Sequence, residues 1–128
     1  MPKVPTQLVG VAGVHHVVSE LTRRGLIALP TVRNVAAYDV LVATPDGKRH
    51  ANLQVKTSLK RVNFFPMPSV EKIRAGVHDW YVLLRWIEKD QRFEGYMLLG
   101  KQARAEVARD KRSQQRRIQT HRRHWEMP

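Results

Sequence analysis

Three side chains of the types that carry phosphoryl chemistry stand in one short interval of this chain: Asp39, Gln54 and Lys56. A carboxylate and an amide oxygen can hold a divalent cation, and an ammonium beside them can orient water and neutralise a phosphate. Mg²⁺ is typically bound through one or two carboxylates plus substrate oxygens, so one acid is a sparse but usable set. Asp39 stands fifteen residues before Gln54, so chain pairing must bring it to the other two.

The intervening residues supply that pairing. Tyr38–Ala43 and Leu53–Thr57 are apolar and β-branched, and Pro45-Asp46-Gly47-Lys48 between them is a hairpin signal. A loop centred on Asp46-Gly47 sets residue 44 opposite 49 and therefore Asp39 opposite Gln54, with Cβ atoms about 5 Å apart. Lys56 is two residues beyond Gln54 and points to the same face, because strand side chains alternate. Leu41 and Ala43 share Asp39's side, so the face should otherwise be apolar, where a charge without a task is expensive. The competing reading is a polar edge strand from which Lys56 reaches water.

Other elements frame this hairpin. Over Gln7–Arg24, Val14, Val17, Val18 and Leu21 fall on one helical stripe, with Thr6 as cap and Gly25 as stop. His15 and His16 lie off the stripe, which predicts that they face solvent. Leu26–Leu29 reads as a strand ended by Pro30. A loop over Thr31–Ala36 then offers Arg33 and Asn34 as phosphate contacts. In Leu59–Pro68, Lys60 and Arg61 precede Phe64 and Phe65, and Pro66 and Pro68 argue against regular structure. The two phenylalanines either stack on bases or cover an open core edge. Ser69–Gly76 admits a helical turn capped by Ser69. Asp79–Ile87 and Phe93–Leu99 read as paired strands, joined by a turn over Lys89–Arg92. The run Tyr81–Leu84 suggests a strand covered on both faces, and Trp80 and Trp86 read as core or interface residues. Lys101–Arg112 suits a helix with Ala103, Val107 and Ala108 inward.

Charge is the strongest compositional signal. The 128 residues carry 23 Lys and Arg against 11 Asp and Glu, a net charge of +12, which points to a polyanion, most simply DNA. Nine basic residues against three acidic ones fall in positions 101–128. Lys60, Arg61, Arg112, Arg116, Arg117, Arg122 and Arg123 join Arg33 as candidate nucleic-acid contacts. Ile118 and Trp125 are the large apolar residues that accompany the basic run 109–124, so this extension must dock on something, such as a second copy, or stay mobile. His121 and His124 have helical spacing but lack a third ligand. The length suits one domain over 1–108 with a basic extension over 109–128. There is no cysteine, no apolar run long enough to span a membrane and no secretory leader pattern, so a cytoplasmic protein is expected.

The order Gly10-Val11-Ala12-Gly13, Leu21-Thr22-Arg23-Arg24-Gly25, Tyr38-Asp39-Val40 and Gln54-Val55-Lys56-Thr57 resembles the PD-(D/E)xK nuclease superfamily, the restriction-endonuclease-like fold that includes small Holliday junction resolvases. The resemblance covers about Gly10–Lys60. It implies an α/β core with a mixed four- or five-stranded sheet flanked by helices, and Mg²⁺- or Mn²⁺-dependent endonucleolytic cleavage of DNA, with a homodimer serving two strands. It also implies metal binding by Asp39, the Gln54 side chain and the Val55 carbonyl, with Lys56 positioning the water. Two positions depart from the pattern: Gln54 stands where an acid is frequent, and Val14 where the helix commonly carries glutamate. Glu20, the only acid on the helix, is expected to face solvent or Arg24. A weakly held metal is the consequence, and a scaffold that binds nucleic acid without efficient hydrolysis is the alternative. A third reading is an assembly protein whose basic surface meets an acidic partner.

Overall fold

The computed structural model describes residues 3–32, 38–60, 64–109 and, as backbone, 117–119. Helix α1 spans Thr6–Arg23, followed by strands β1 (Ile27–Pro30), β2 (Val40–Ala43), β3 (His50–Ser58), β4 (Phe64–Pro66), β5 (Asp79–Ile87) and β6 (Arg92–Leu99), helix α2 (Gly100–Arg109) and strand β7 (Arg117–Gln119). Five strands form one mixed sheet in the order β1-β2-β3-β5-β6. Its pairs are antiparallel except β3 with β5, which run parallel with Gln54 beside Tyr81 and Lys56 beside Leu83. This is the mixed sheet flanked by helices that the sequence implied.

The helices take opposite faces. On one, Val17 and Leu21 of α1 are buried with Val40, Val42, Leu53, Val82 and Leu84, while Val14 and Val18 pack at the margin. On the other, Ala103 and Val107 of α2 are buried with Phe65, Ile73, Tyr81, Leu83 and Leu98. The four residues Tyr81–Leu84 are therefore all buried, alternately against α1 and α2. A Cβ on Gly13 would lie 1.9 Å from Thr57 Oγ1, so glycine is what lets α1 lie this close to β3.

Several local expectations need correction. Thr6 lies inside α1 rather than capping it. Pro5 holds the cap position, its carbonyl accepting from the amides of Leu8 and Val9, and no side chain caps the end. Ser69 likewise makes no side-chain cap for the 3₁₀ turn Val70–Lys72. His16 is half-buried, its ring 4.8 Å from that of Phe93, because β6 reaches past the helix stripe. Burial holds its pKa below the ordinary 6.5, with Arg23 and Arg24 in the same direction and Glu20 opposing. Proline did not keep Phe64–Pro66 irregular: Pro66 ends a three-residue strand, where a missing N–H is tolerated, and β4 pairs with β7 as Phe65 meets Ile118. Segment 117–119 of the basic extension thus docks on the same chain, beside Phe65, which is 1% exposed and belongs to the core. Trp80 packs against the α1-side core, and Trp86 meets Phe93 edge-on at 5.1 Å. Among the described residues no helix is long and apolar enough to cross a membrane.

Candidate functional site

The hairpin register is the one the turn demanded. Val40 pairs with Leu53 and Ala43 with His50, but the ladder stops before Asp39: its amide donates to the carbonyl of Leu53, the residue already opposite Val40, at 2.8 Å, so the regular register is not carried on to the expected Asp39–Gln54 pair. In the turn, Asp46 Oδ1 accepts from Thr44 Oγ1 at 2.6 Å and from the Lys48 amide at 3.0 Å. These bonds hold the Asp46 carboxyl below its ordinary pKa and lock the loop that sets the register.

Asp39 is fixed from two sides. Thr31 straps the backbone: its amide donates to the Asp39 carbonyl at 3.0 Å and its hydroxyl to the Tyr38 carbonyl at 2.5 Å. The Val55 amide then donates to Asp39 Oδ2 at 2.8 Å, which orients the carboxylate and leaves Oδ1 for another partner. Asp39, Gln54, Val55 and Lys56 line one cleft of about 520 Å³, together with Gly10, Val11, Val14 and His15 of α1 and the Pro30–Val32 and Tyr38 segments. The three residues thus share one cleft, and Val14 stands on its wall where the resemblance would put an acid. His15 is exposed, as expected, but its position at the cleft was not foreseen.

The face around Asp39 is more open than its apolar neighbours implied. Leu41 is 43% exposed and Leu29 57%, because α2 covers the sheet only on the β5–β6 side. The desolvation argument for Asp39 is correspondingly weaker. Glu20, by contrast, turns away as expected, pairing with Arg23 at 2.9 Å and Arg24 at 3.4 Å.

Among the described residues no group of three or more His, Cys, Asp or Glu could enclose a metal ion. One carboxylate with a backbone-set orientation, an amide and a carbonyl still fit a hard cation that takes most of its ligands from water and substrate. Of the candidate phosphate contacts, Lys60 is exposed just beyond β3. Arg33, Arg61, Arg112, Arg116, Arg122 and Arg123 lie outside the described residues, as do Asn34, His121 and His124. Arg117 is placed only as backbone, opposite Pro66.

A second polar cluster adjoins the cleft, built from residues far apart along the chain. Asp79, 9% exposed at the start of β5, accepts from Asn52 Nδ2 at 3.2 Å and from the Gly76 amide at 2.8 Å. The Tyr38 hydroxyl lies beside it. Burial alone would raise the Asp79 carboxyl, but Asn52, Tyr38, Gly76 and nearby Arg74 outweigh it and hold the pKa below the ordinary value. Tyr38 shifts upward through desolvation and the neighbouring Asp79 carboxylate, with the Arg74 guanidinium 5.4 Å from its ring centre. Burial, followed by the Asp39 charge, raises the pKa of Tyr81, so Asp39 and Asp79 share one electrostatic neighbourhood.

No family model matches this chain, and no curated protein sequence matches it. Among solved structures, a bacterial homing endonuclease is similar, at 18% identity and a TM-score of 0.51, over 73% of this chain and 69% of that one. The chain has a nuclease-like fold. That nuclease-like sheet carries Asp39, Gln54 and Lys56 on the paired strands β2 and β3 and their flanks, and it turns the wall of α1 holding Val14 and His15 toward them.

Proposed function

We propose that the protein is a divalent-metal-dependent endonuclease that hydrolyses phosphodiester bonds in DNA, with the cleft between α1 and the β2–β3 hairpin as its active site. The observation that carries this reading is the meeting of Asp39, Gln54, Val55 and Lys56 in one cleft on a nuclease-like fold, in a chain of net charge +12.

Asp39, the Gln54 side-chain oxygen and the Val55 carbonyl would hold a Mg²⁺ or Mn²⁺ ion, which when bound polarises the phosphate and lowers the pKa of its water. The Val55 amide keeps the Asp39 carboxylate turned to the cleft throughout. The Lys56 ammonium orients the attacking water and stabilises the charge that accumulates on the phosphate oxygens. As the water oxygen bonds to phosphorus and the bond to the departing sugar oxygen breaks, the proton of the water leaves to solvent. The departing oxygen takes a proton from solvent or from the His15 imidazole on the opposite wall. Lys60 and the arginines of the 109–128 extension bind flanking phosphates without reading bases. A second copy would serve the second strand.

The alternative is a nucleic-acid-binding protein that keeps the scaffold without efficient hydrolysis, and Val14 on the cleft wall favours it. Nicking of supercoiled plasmid with Mg²⁺ or Mn²⁺ decides between them. The proposal expects nicking by the wild-type chain that Lys56→Ala abolishes. Tight plasmid binding with no nicking by either protein would establish the alternative.

A further inference from the structure

Among the described residues that line the cleft, Lys56 is the only lysine or arginine, and the proposed chemistry uses it at the reacting phosphate. A DNA strand lying in the cleft brings further phosphates, one per 3.4 Å of helix axis, and these need cations of their own. A second described cation stands beside the cleft, from a distant part of the chain. Arg74 is exposed, and its guanidinium carbon lies 5.4 Å from the centre of the Tyr38 ring, within cation–π range. Tyr38 lines the cleft and immediately precedes Asp39.

The backbone beneath Arg74 is clamped. Ile73 is fully buried, and its carbonyl accepts from the Arg104 guanidinium of α2. A Cβ on Gly100, the first residue of α2, would lie 2.0 Å from the Arg74 carbonyl oxygen, so the helix begins directly against this segment. The Gly76 amide is held by Asp79 Oδ2 at 2.8 Å. Arg74 is thus carried on a fixed backbone and laid on a fixed ring, which lowers the entropy lost when it meets a ligand.

Its charge is unspent. Arg23, Arg24, Arg92 and Arg109 each face an acid, whereas among the described residues no carboxylate lies within ion-pair distance of Arg74. Asp79 is near enough to feel it, but its two oxygens already accept from Asn52 and Gly76. The Tyr81 hydroxyl senses both sides of the site: burial raises its pKa, the Asp39 charge adds to that and the Arg74 charge opposes it.

We infer that Arg74, held on the Tyr38 ring, binds a backbone phosphate of the DNA strand beside the one that Lys56 addresses. Arginine presents its donors in a fork that matches phosphate oxygens. The inference rests on the reading of the cleft as a DNA site and deepens it.

The test measures binding of a fluorescent duplex oligonucleotide to the full-length protein by anisotropy over a salt series, with chelator present so that no metal-dependent cleavage intervenes. Arg74→Ala is expected to weaken binding severalfold and to reduce the slope of log affinity against log salt by about 0.9, one phosphate contact. Arg74→Lys keeps the charge and should keep the slope. Arg92→Ala, which removes an exposed arginine paired with Asp90 at the β6 edge, should leave the slope unchanged. Should Arg74→Ala not fold, Arg74→Gln decides. An unchanged slope in the Arg74 variant would overturn the inference, and so would an equal loss in Arg92→Ala, which marks diffuse charge rather than a contact. Slope loss confined to Arg74 in a protein that nicks no plasmid leaves the phosphate contact standing and removes the endonuclease reading. Nicking by the wild type with an unchanged slope in Arg74→Ala removes the contact alone.

Discussion

Asp39 and Asp79 stand at the starts of β2 and β5 with only β3 between those strands, yet the fold treats them oppositely. Asp79 is nearly buried and receives donors from Asn52 and Gly76, one on each carboxylate oxygen. Asp39 is half-buried and lines a cleft, with the Val55 amide on Oδ2. A carboxylate supplied with donors on both oxygens has its charge balanced inside the protein and is poorly placed to take a ligand. One held in orientation but incompletely enclosed is ready for a cation. The pair separates a group that ties strands together from the group that would take a cation.

The comparison breaks most decisively at Lys56 and Asp39. Lys56→Ala and Asp39→Asn should each reduce plasmid nicking by about a hundredfold or more, the range for loss of a positioned catalytic group, while thermal unfolding shifts little. Asp79→Ala should do the reverse in emphasis. It leaves the Asn52 side-chain amide and the Gly76 N–H without their acceptor, at a cost of about 2 kcal/mol in urea unfolding. The sign of its pH dependence also follows: a depressed carboxyl contributes stability above its unfolded value near 4 and loses it as pH falls through the folded value. The wild type should therefore lose more stability below pH 4 than Asp79→Ala does.

Val14→Glu sharpens the contrast by adding a second carboxylate to the Asp39 cleft. Mn²⁺ affinity measured by calorimetry should rise, with a folding cost of about 1 to 3 kcal/mol. Unchanged affinity in a folded variant would mean that this wall does not face the metal position. In the extension, replacing Arg122 and Arg123 with glutamine should reduce the slope of log affinity against log salt by about 1.8 for duplex DNA, two phosphate contacts at about 0.9 each. The β4–β7 pairing is left in place by this change, as it is not by truncation. The smallest effect concerns His16. Its folded pKa lies below 6.5, so the unfolded chain protonates first and stability falls as pH drops through 6.5. His16→Phe should flatten the melting temperature between pH 7.5 and 5.5.

Why Asp39 was legible from the sequence and Asp79 was not is a matter of distance along the chain. The Pro45–Lys48 turn fixes a register, and strand alternation carries it outward to Gln54 and Lys56. The bond between Asn52 and Asp79 depends on the parallel pairing of β3 with β5, for which no local turn exists, so nothing near either residue announces it. Strong strands such as Asp79–Ile87 were visible because a continuous apolar run needs cover on both faces. The β4–β7 ladder was hidden because two prolines argue against a strand and because Ile118 finds its partner more than fifty residues back. His15 was read from the helix stripe alone, which cannot show that the Pro30–Val32 segment closes a cleft beside it.

We propose above that Asp39, Gln54 and Val55 together receive a divalent cation. Paramagnetic broadening of the NMR spectrum by Mn²⁺ tests it most directly. The account predicts selective broadening of the Val55 amide and the Gln54 side-chain amide at low Mn²⁺, lost in Asp39→Asn while signals around Asp79 in that variant remain as in the wild type. Broadening centred elsewhere, or broadening at Val55 that survives Asp39→Asn, would contradict it.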